Sequence, residues 1–225
     1  RTSDVKVQSQ QISQAICQEK SEDQWAVRSR EWFVPRLEKT SVPCGKPIEI
    51  DPQGSYLVTG GLGGLGLVCC DWLASHGVGQ LLLVGRRDPG VIAQQKIESL
   101  KHQGVEVTFK ACDISDEGAV KRLFSDDYFK DRPLKGIVHA AGVDSEKRLI
   151  ELDAKEIKRV FGAKVWGSWY LHRYSQDFDL DFFLGYSSIS SLMGSSKMGA
   201  YVAANGFLDS LAHYRNHLGL KTKVI

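Results

Sequence analysis

The sequence predicts an α/β chain built on a doubly wound parallel sheet with helices on both faces. Three observations carry this. From residue 55 onward, short β-rich runs alternate with longer segments of helical periodicity. The run QLLLVG at 80–85 is almost continuously apolar, the pattern of a strand covered on both faces. The first run, SYLVTG at 55–60, passes directly into a glycine-rich turn and then a helix.

Taken in order, the first strand at 55–60 is followed by a helix from about Leu65 to His76 and the apolar strand at 80–85. Helical periodicity at 91–103, 116–130 and 153–174 alternates with strands at 105–112 (VEVTFKAC), 136–141 (GIVHAA) and 180–188 (LDFFLGYSS). The helix at 153–174 opens with Asp153 and Glu156 at the spacing of a capping box, in which two side chains satisfy free backbone N–H groups reciprocally. A last helix, about 201–218, ends at Gly219, and the closing KTKVI reads as the start of one more strand.

Residues 1–50 differ in kind. The first twenty are rich in Gln and Ser, and WAVRSREWFVPRL then offers short β-like runs with Trp25, Trp32, Phe33 and Val34. Such a segment cannot bury a core alone. It either packs on the larger domain or is the remainder of a unit that begins upstream, with 42–54 as the joining loop. The division drawn from the sequence is 1–52 for this small β-rich part plus linker, and 53–225 for the α/β domain.

Composition narrows the function. Among 225 residues, 29 Lys+Arg against 27 Asp+Glu give a net charge of +2, too little to argue for nucleic acid or an anionic membrane as partner. No apolar run is long enough to span a bilayer, and the polar start RTSDVKVQSQQ lacks the apolar core of a secretory signal. A cytoplasmic location is the expectation. The five cysteines, Cys17, Cys44, Cys69, Cys70 and Cys112, form no C-x-x-C pair and have no histidines at metal-ligand spacing, so they read as reduced thiols and no metal is expected.

The chemistry starts at Thr59-Gly60-Gly61-Leu62-Gly63-Gly64-Leu65-Gly66, between a strand and a helix. Glycines let the backbone turn sharply and approach a pyrophosphate, and the helix N-terminus supplies free N–H donors. At the end of the second strand, where an acidic residue would receive the ribose 2′-hydroxyl of NAD, the chain has Gly85-Arg86-Arg87. Two guanidinium groups there suit a 2′-phosphate, so the expected cofactor is NADPH. Asp113, at the end of the third strand, is positioned to accept a hydrogen bond from the adenine amino group.

These motifs, with HAAG at 139–142, Ser187-Ser188 closing a strand and YVAAN at 201–205, resemble the short-chain dehydrogenase/reductase superfamily. More narrowly, GSYLVTGGLGGLGL, LLLVGRR, GIVHAAGV, GAKVWGSWYLH and AYVAANGFLDSLAHYR resemble ketoreductase domains of modular polyketide synthases, across about 54–225. Asparagine stands four residues after the tyrosine, where ordinary superfamily members have lysine, and the lysine appears earlier, as Lys164. The resemblance implies a Rossmann-like fold, a catalytic set of Ser188, Tyr201, Lys164 and Asn205, and a cofactor turn that includes Ala140, Ala141 and Gly142. It also implies the substrate, a β-ketoacyl chain on the phosphopantetheine of an acyl carrier protein, and other synthase domains in the same polypeptide.

In that setting Tyr201 is the general acid, Lys164 favours its phenolate, Ser188 donates a second hydrogen bond to the carbonyl oxygen, and Asn205 orients Lys164, a water or the cofactor ribose. His139, Trp166 and Trp169 read as structural, the indoles as core. Fingerprints of product stereochemistry are absent: Asp144-Ser145-Glu146 and Met193 stand where the family carries Leu-Asp-Asp or a tryptophan. The segment around WFVPRLEK resembles the end of the structural subdomain that precedes the catalytic half. Family members continue beyond the position of Ile225 through the rest of a sixth strand, a nicotinamide-contacting loop, a lid and a seventh strand. A catalytically silent reductase-like scaffold and a free-standing oxoacyl reductase are the competing readings.

Overall fold

The computed structural model describes residues 5–17, 22, 24–28, 31–41, 47–125 and 127–225. The chain divides into two compact units, Arg1–Lys46 and Pro47–Ile225.

In the first unit, α1 (Val5–Cys17) precedes a two-stranded antiparallel ribbon of β1 (Ala26–Arg28) and β2 (Glu31–Phe33). The ribbon pairs Val27 with Trp32, and Trp25 meets Trp32 edge to face at 5.6 Å. The β-like runs were legible, but α1 was not. Its Gln-rich composition forms helix readily while supplying few apolar residues to mark a period, and Ile12 and Ile16 remain exposed. Cys44 and 42–46 of the expected joining loop lie outside the described residues.

The second unit runs β3 (Ser55–Thr59), α2 (Gly64–Ser75), β4 (Gln80–Gly85), α3 (Val91–His102), β5 (Glu106–Ala111), α4 (Glu117–Ser125) and β6 (Leu134–His139). It continues with α5 (Ala154–Phe161), α6 (Ser168–Ser175), β7 (Phe182–Gly185), α7 (Ser190–Met193), α8 (Gly199–His217) and β8 (Thr222–Val224). The six strands form one sheet in the order β5-β4-β3-β6-β7-β8, parallel at every pairing. The chain winds outward from β3 to one edge, then returns to β6 and winds to the other. The point of reversal lies between β3 and β6, and a crevice opens there at the carboxyl ends of the strands.

Alternation along the strands builds the two layers. Tyr56 and Val58 of β3 and Leu81 and Leu83 of β4 face a core with Cys70 and Leu73 of α2 and Ile97 and Leu100 of α3. Leu57, Leu82 and Val84 face the opposite core with Val120 and Leu123 of α4 and Leu171 of α6. A third cluster joins Val160 of α5 to Ala200 and Ala204 of α8. At the far edge, the buried Arg215 of α8 donates to Thr222 Oγ1 (2.8 Å) and pairs with His172 Nδ1 (3.0 Å), its guanidinium lying over the Phe183 ring. Burial pushes its pKa down to about 10. Among the described residues, no helix is long and apolar enough to cross a membrane.

Several elements differ from the sequence expectation. The helix expected over 153–174 is interrupted by a π-helical turn, Gly162–Gly167, between α5 and α6. Glycine at each end permits close packing there, and a Cβ on Gly167 would sit 2.9 Å from Ile114 Cδ1. Only half of the capping box forms: Asp153 accepts from the Glu156 N–H at 2.7 Å, whereas the Glu156 carboxylate turns to Arg159 and Ser145. The helix expected over 116–130 ends at Ser125, with a 3₁₀ turn at Asp127–Phe129. β7 stops at Gly185, so Ser187 and Ser188 follow the strand instead of closing it. Trp166 is exposed, contrary to its expected place in the core, because the π turn directs it outward while Lys164 points in.

Candidate active site

The crevice is shaped by glycine. β3 ends at Thr59 and Gly60 turns the chain at φ +67°, where a Cβ would lie 2.8 Å from the Ala141 nitrogen. A Cβ on Gly66 would meet the Gly60 carbonyl at 2.3 Å, so α2 lies directly on the loop. Gly63 caps α2 without a side-chain hydrogen bond, leaving the first-turn N–H groups to other partners. The result is a cleft of about 980 Å³ lined by Gly60, Leu62, Gly63, Arg86, Arg87, Asp113, Ala140, Ala141 and Gly142.

The remaining loop residues assigned from sequence do not line it. Thr59 is fully buried with its hydroxyl bonded to His139, Gly61 packs beneath the loop, and Gly66 is the helix contact just described. Gly64 and Leu65 are exposed in the first turn of α2. Their contribution is to the shape of the turn.

Arg86 and Arg87 are exposed at the cleft wall and have no hydrogen-bond or ion-pair partner among the described residues. Asp113 accepts from the Ser115 backbone N–H (2.9 Å) and hydroxyl (2.8 Å), which fixes its carboxylate at the cleft edge. Sequence reasoning missed Lys155 and Lys158, which enter the same cleft from α5 beside Arg159. Their i, i+3, i+4 spacing on one helix face was the available signal. Arg159 is committed elsewhere, to Glu156 and the Asp144 carbonyl (2.6 Å).

The titratable groups converge beside Gly142. Lys164, 5% exposed, lies against it: a Cβ on Gly142 would meet Lys164 Cε at 2.8 Å. Lys164 Nζ donates to the Tyr186 carbonyl at 2.5 Å and lies 5.6 Å from the centroid of the Tyr201 ring. Burial pushes its pKa down to about 8, opposed by Asp209 of α8. Asn205, fully buried one turn after Tyr201, donates Nδ2 to the Tyr201 carbonyl at 2.8 Å, while its Oδ1 has no partner among the described residues. No direct bond joins it to Lys164 among the described residues.

Ser188 is partly exposed, and its Oγ accepts from the Ser190 N–H (3.2 Å) and pairs with the Ser190 hydroxyl (2.9 Å). The neighbouring Ser187 hydroxyl is buried and without a partner among the described residues. Lys164 and Tyr201 are thus brought together, Asn205 supports the turn that carries Tyr201, and Ser188 follows two residues after the carbonyl that holds Lys164. Tyr186 was not singled out from sequence, since its part is played by a backbone carbonyl that any residue could offer.

A parallel sheet of this order, with a glycine turn at its point of reversal, defines a nucleotide-binding α/β fold of the Rossmann type. The chain belongs to the KR domain family, whose model matches residues 54–225. It is 38% identical over 184 residues to a mycocerosic acid synthase-like polyketide synthase of Mycobacterium tuberculosis, a match covering 81% of this chain and 9% of that one. Among solved structures it resembles A-type ketoreductases from a modular polyketide synthase, at 34% identity and a TM-score of 0.83, covering 90% of this chain and 44% of the other. A short-chain dehydrogenase/reductase of Burkholderia phymatum in complex with NAD shares the fold at a TM-score of 0.67 and 23% identity, covering 78% of this chain and 64% of that one. This is an oxidoreductase family, and the chain spans a small fraction of the curated synthases it matches.

Proposed function

We propose that this domain reduces a β-ketoacyl thioester, carried on the phosphopantetheine arm of an acyl carrier protein, to the β-hydroxyacyl thioester with NADPH, as one domain of a modular polyketide synthase. The observation that carries this reading is Lys164, buried between the wall of a dinucleotide-sized cleft at Gly142 and the ring of Tyr201. Two features support this cofactor: Gly60 lets the turn lie against the Ala140–Ala141 backbone, where a Cβ would clash, and Arg86, Arg87, Lys155 and Lys158 line the cleft. Gly60, Leu62 and Gly63 with Ala140, Ala141 and Gly142 would hold the pyrophosphate and ribose, Arg86 and Arg87 the 2′-phosphate, and Asp113 the adenine. When bound, NADPH supplies hydride to the ketone carbon.

The chain's own residues manage the charge that follows. Tyr201 gives its phenolic proton to the carbonyl oxygen, a general-acid contribution of about 10²–10⁴ in rate. The Lys164 ammonium stabilises the phenolate that remains. Ser188, whose Oγ accepts from the Ser190 hydroxyl and N–H and so keeps its own proton free, donates to the same oxygen. Asn205 keeps Tyr201 in position through the helix backbone. The first unit is read as the end of a structural subdomain, and the intact enzyme as cytoplasmic.

The test is NADPH absorbance on the intact protein with a simple β-ketothioester or bicyclic ketone. Consumption that is lost in Tyr201→Phe while cofactor binding persists supports the reading. An NADPH-bound protein that turns over neither substrate class marks a silent scaffold.

A further inference from the structure

We infer that His139 is a positioning residue for Lys164, its imidazole anchoring the end of β6 to Thr59 so that its backbone carbonyl holds the segment that receives the lysine. The inference rests on the proposed role of Lys164 beside Tyr201. His139 is the last residue of β6, paired in register with Thr59 on one side and Gly185 on the other, and it is 1% exposed.

Its carbonyl accepts from the Tyr186 N–H at 3.0 Å, and the Tyr186 carbonyl in turn accepts from Lys164 Nζ at 2.5 Å. Its ring bonds Thr59 Oγ1 through Nδ1 at 2.7 Å. The other ring nitrogen, Nε2, is buried and completes no hydrogen bond among the described residues. One residue therefore reaches the lysine through a chain of bonds: its ring, tied to Thr59, fixes the end of β6, and its carbonyl fixes Tyr186, whose own carbonyl receives the ammonium.

The protonation state follows from the surroundings. Burial, with Lys164 nearby, pushes the His139 pKa down to about 3, so the ring is neutral at working pH. If the Thr59 hydroxyl donates to Nδ1, the single ring proton sits on Nε2. A charged ring would instead repel the ammonium it serves. Lys164 is faced by His139 from β6 and by Tyr201 and Asp209 from α8, and by no carboxylate bonded to it among the described residues. With no ion pair bonded to the ammonium among the described residues, its placement depends on the Tyr186 carbonyl and the Tyr201 ring, with Asp209 acting only at longer range.

The test compares His139→Phe, which keeps ring volume without the bonds, with His139→Gln, which restores a neutral donor, both in the intact protein. Two readouts are followed: the pH profile of ketone reduction, and the pH dependence of Lys164 acylation by a trace anhydride, read by mass spectrometry without cofactor. His139→Phe should lower kcat by about tenfold to a hundredfold, the size of a small misplacement of a reacting group. It should also shift the titration of Lys164 by about one pH unit, with NADPH affinity changed by less than about threefold and His139→Gln recovering most of both effects. A His139→Phe protein with unchanged pH profile and Lys164 labelling overturns the inference. Should that variant fail to fold, Thr59→Val, which removes the hydroxyl that orders the ring, must move Lys164 labelling in the same direction, and no movement overturns it equally. Failure of the wild type to reduce any ketone would sink the proposed function while leaving the labelling test of His139 intact.

Discussion

Lys164 Nζ stands 5.6 Å from the centroid of the Tyr201 ring, with its proton donated to a backbone carbonyl instead of a carboxylate. The two residues come from different helical segments and meet only because the π turn swings the lysine inward. Replacing Tyr201 with Phe keeps the ring and removes the acidic proton. The expected loss in kcat is about 10²–10⁴, with NADPH affinity retained in fluorescence titration.

Burying an ammonium without a carboxylate opposes folding. The Lys164 pKa of about 8 lies below its ordinary 10.5, so the unfolded chain holds the proton more tightly than the native one. Below about pH 8 both states are protonated and the native state carries the full penalty, which fades as pH rises toward 10.5. Lys164→Met should therefore raise the midpoint of urea unfolding at pH 7 while abolishing reduction, and the gap to wild type should narrow between pH 8 and 10.5. In wild-type kinetics, kcat should fall as pH rises through about 8, where the ammonium is lost.

His139 gives the complementary dependence at acid pH. Its native pKa of about 3 lies below the ordinary 6.5, so stability is full above 6.5 and is lost as pH falls through this window. Unfolding midpoints should decline below pH 6.5 in wild type and decline less in His139→Gln, in which one such titration is removed.

The glycines of the loop are not equivalent. Ala at Gly66 would bring a Cβ to 2.3 Å from the Gly60 carbonyl, backbone against backbone, whereas Gly64 has nothing within 4 Å. Gly66→Ala should destabilise the fold by about 1–3 kcal/mol through overpacking, and Gly64→Ala should leave stability unchanged or raise it by about 0.5 kcal/mol through the unfolded state. Thermal unfolding of the two variants side by side measures the difference.

Arg86 and Arg87 face the cleft without protein partners among the described residues, so their charge is available to a ligand. Arg86→Ala or Arg87→Ala should weaken NADPH by about tenfold or more, the scale of a charge-assisted hydrogen bond, with little effect on NADH. Equal losses for both cofactors would contradict a 2′-phosphate site.

The sequence by itself determined the alternation of strands and main helices in the second unit, the glycine turn at the end of β3 and the arginines after β4. These are written in local periods and in residues with unusual backbone freedom, which need no distant partner to be read. It also held Tyr201, Lys164 and Ser188 as separate motifs, joined only by resemblance. Tertiary structure alone decided that Lys164 sits in a π turn and not on a regular helix, that Trp166 faces outward, and that Lys155 and Lys158 share the cleft with Arg86. It likewise decided that Thr59 and His139 are bonded to each other. Hydrogen-bond partners far apart in the chain are fixed by strand register and by how helices settle on the sheet, and neither leaves a period in the sequence.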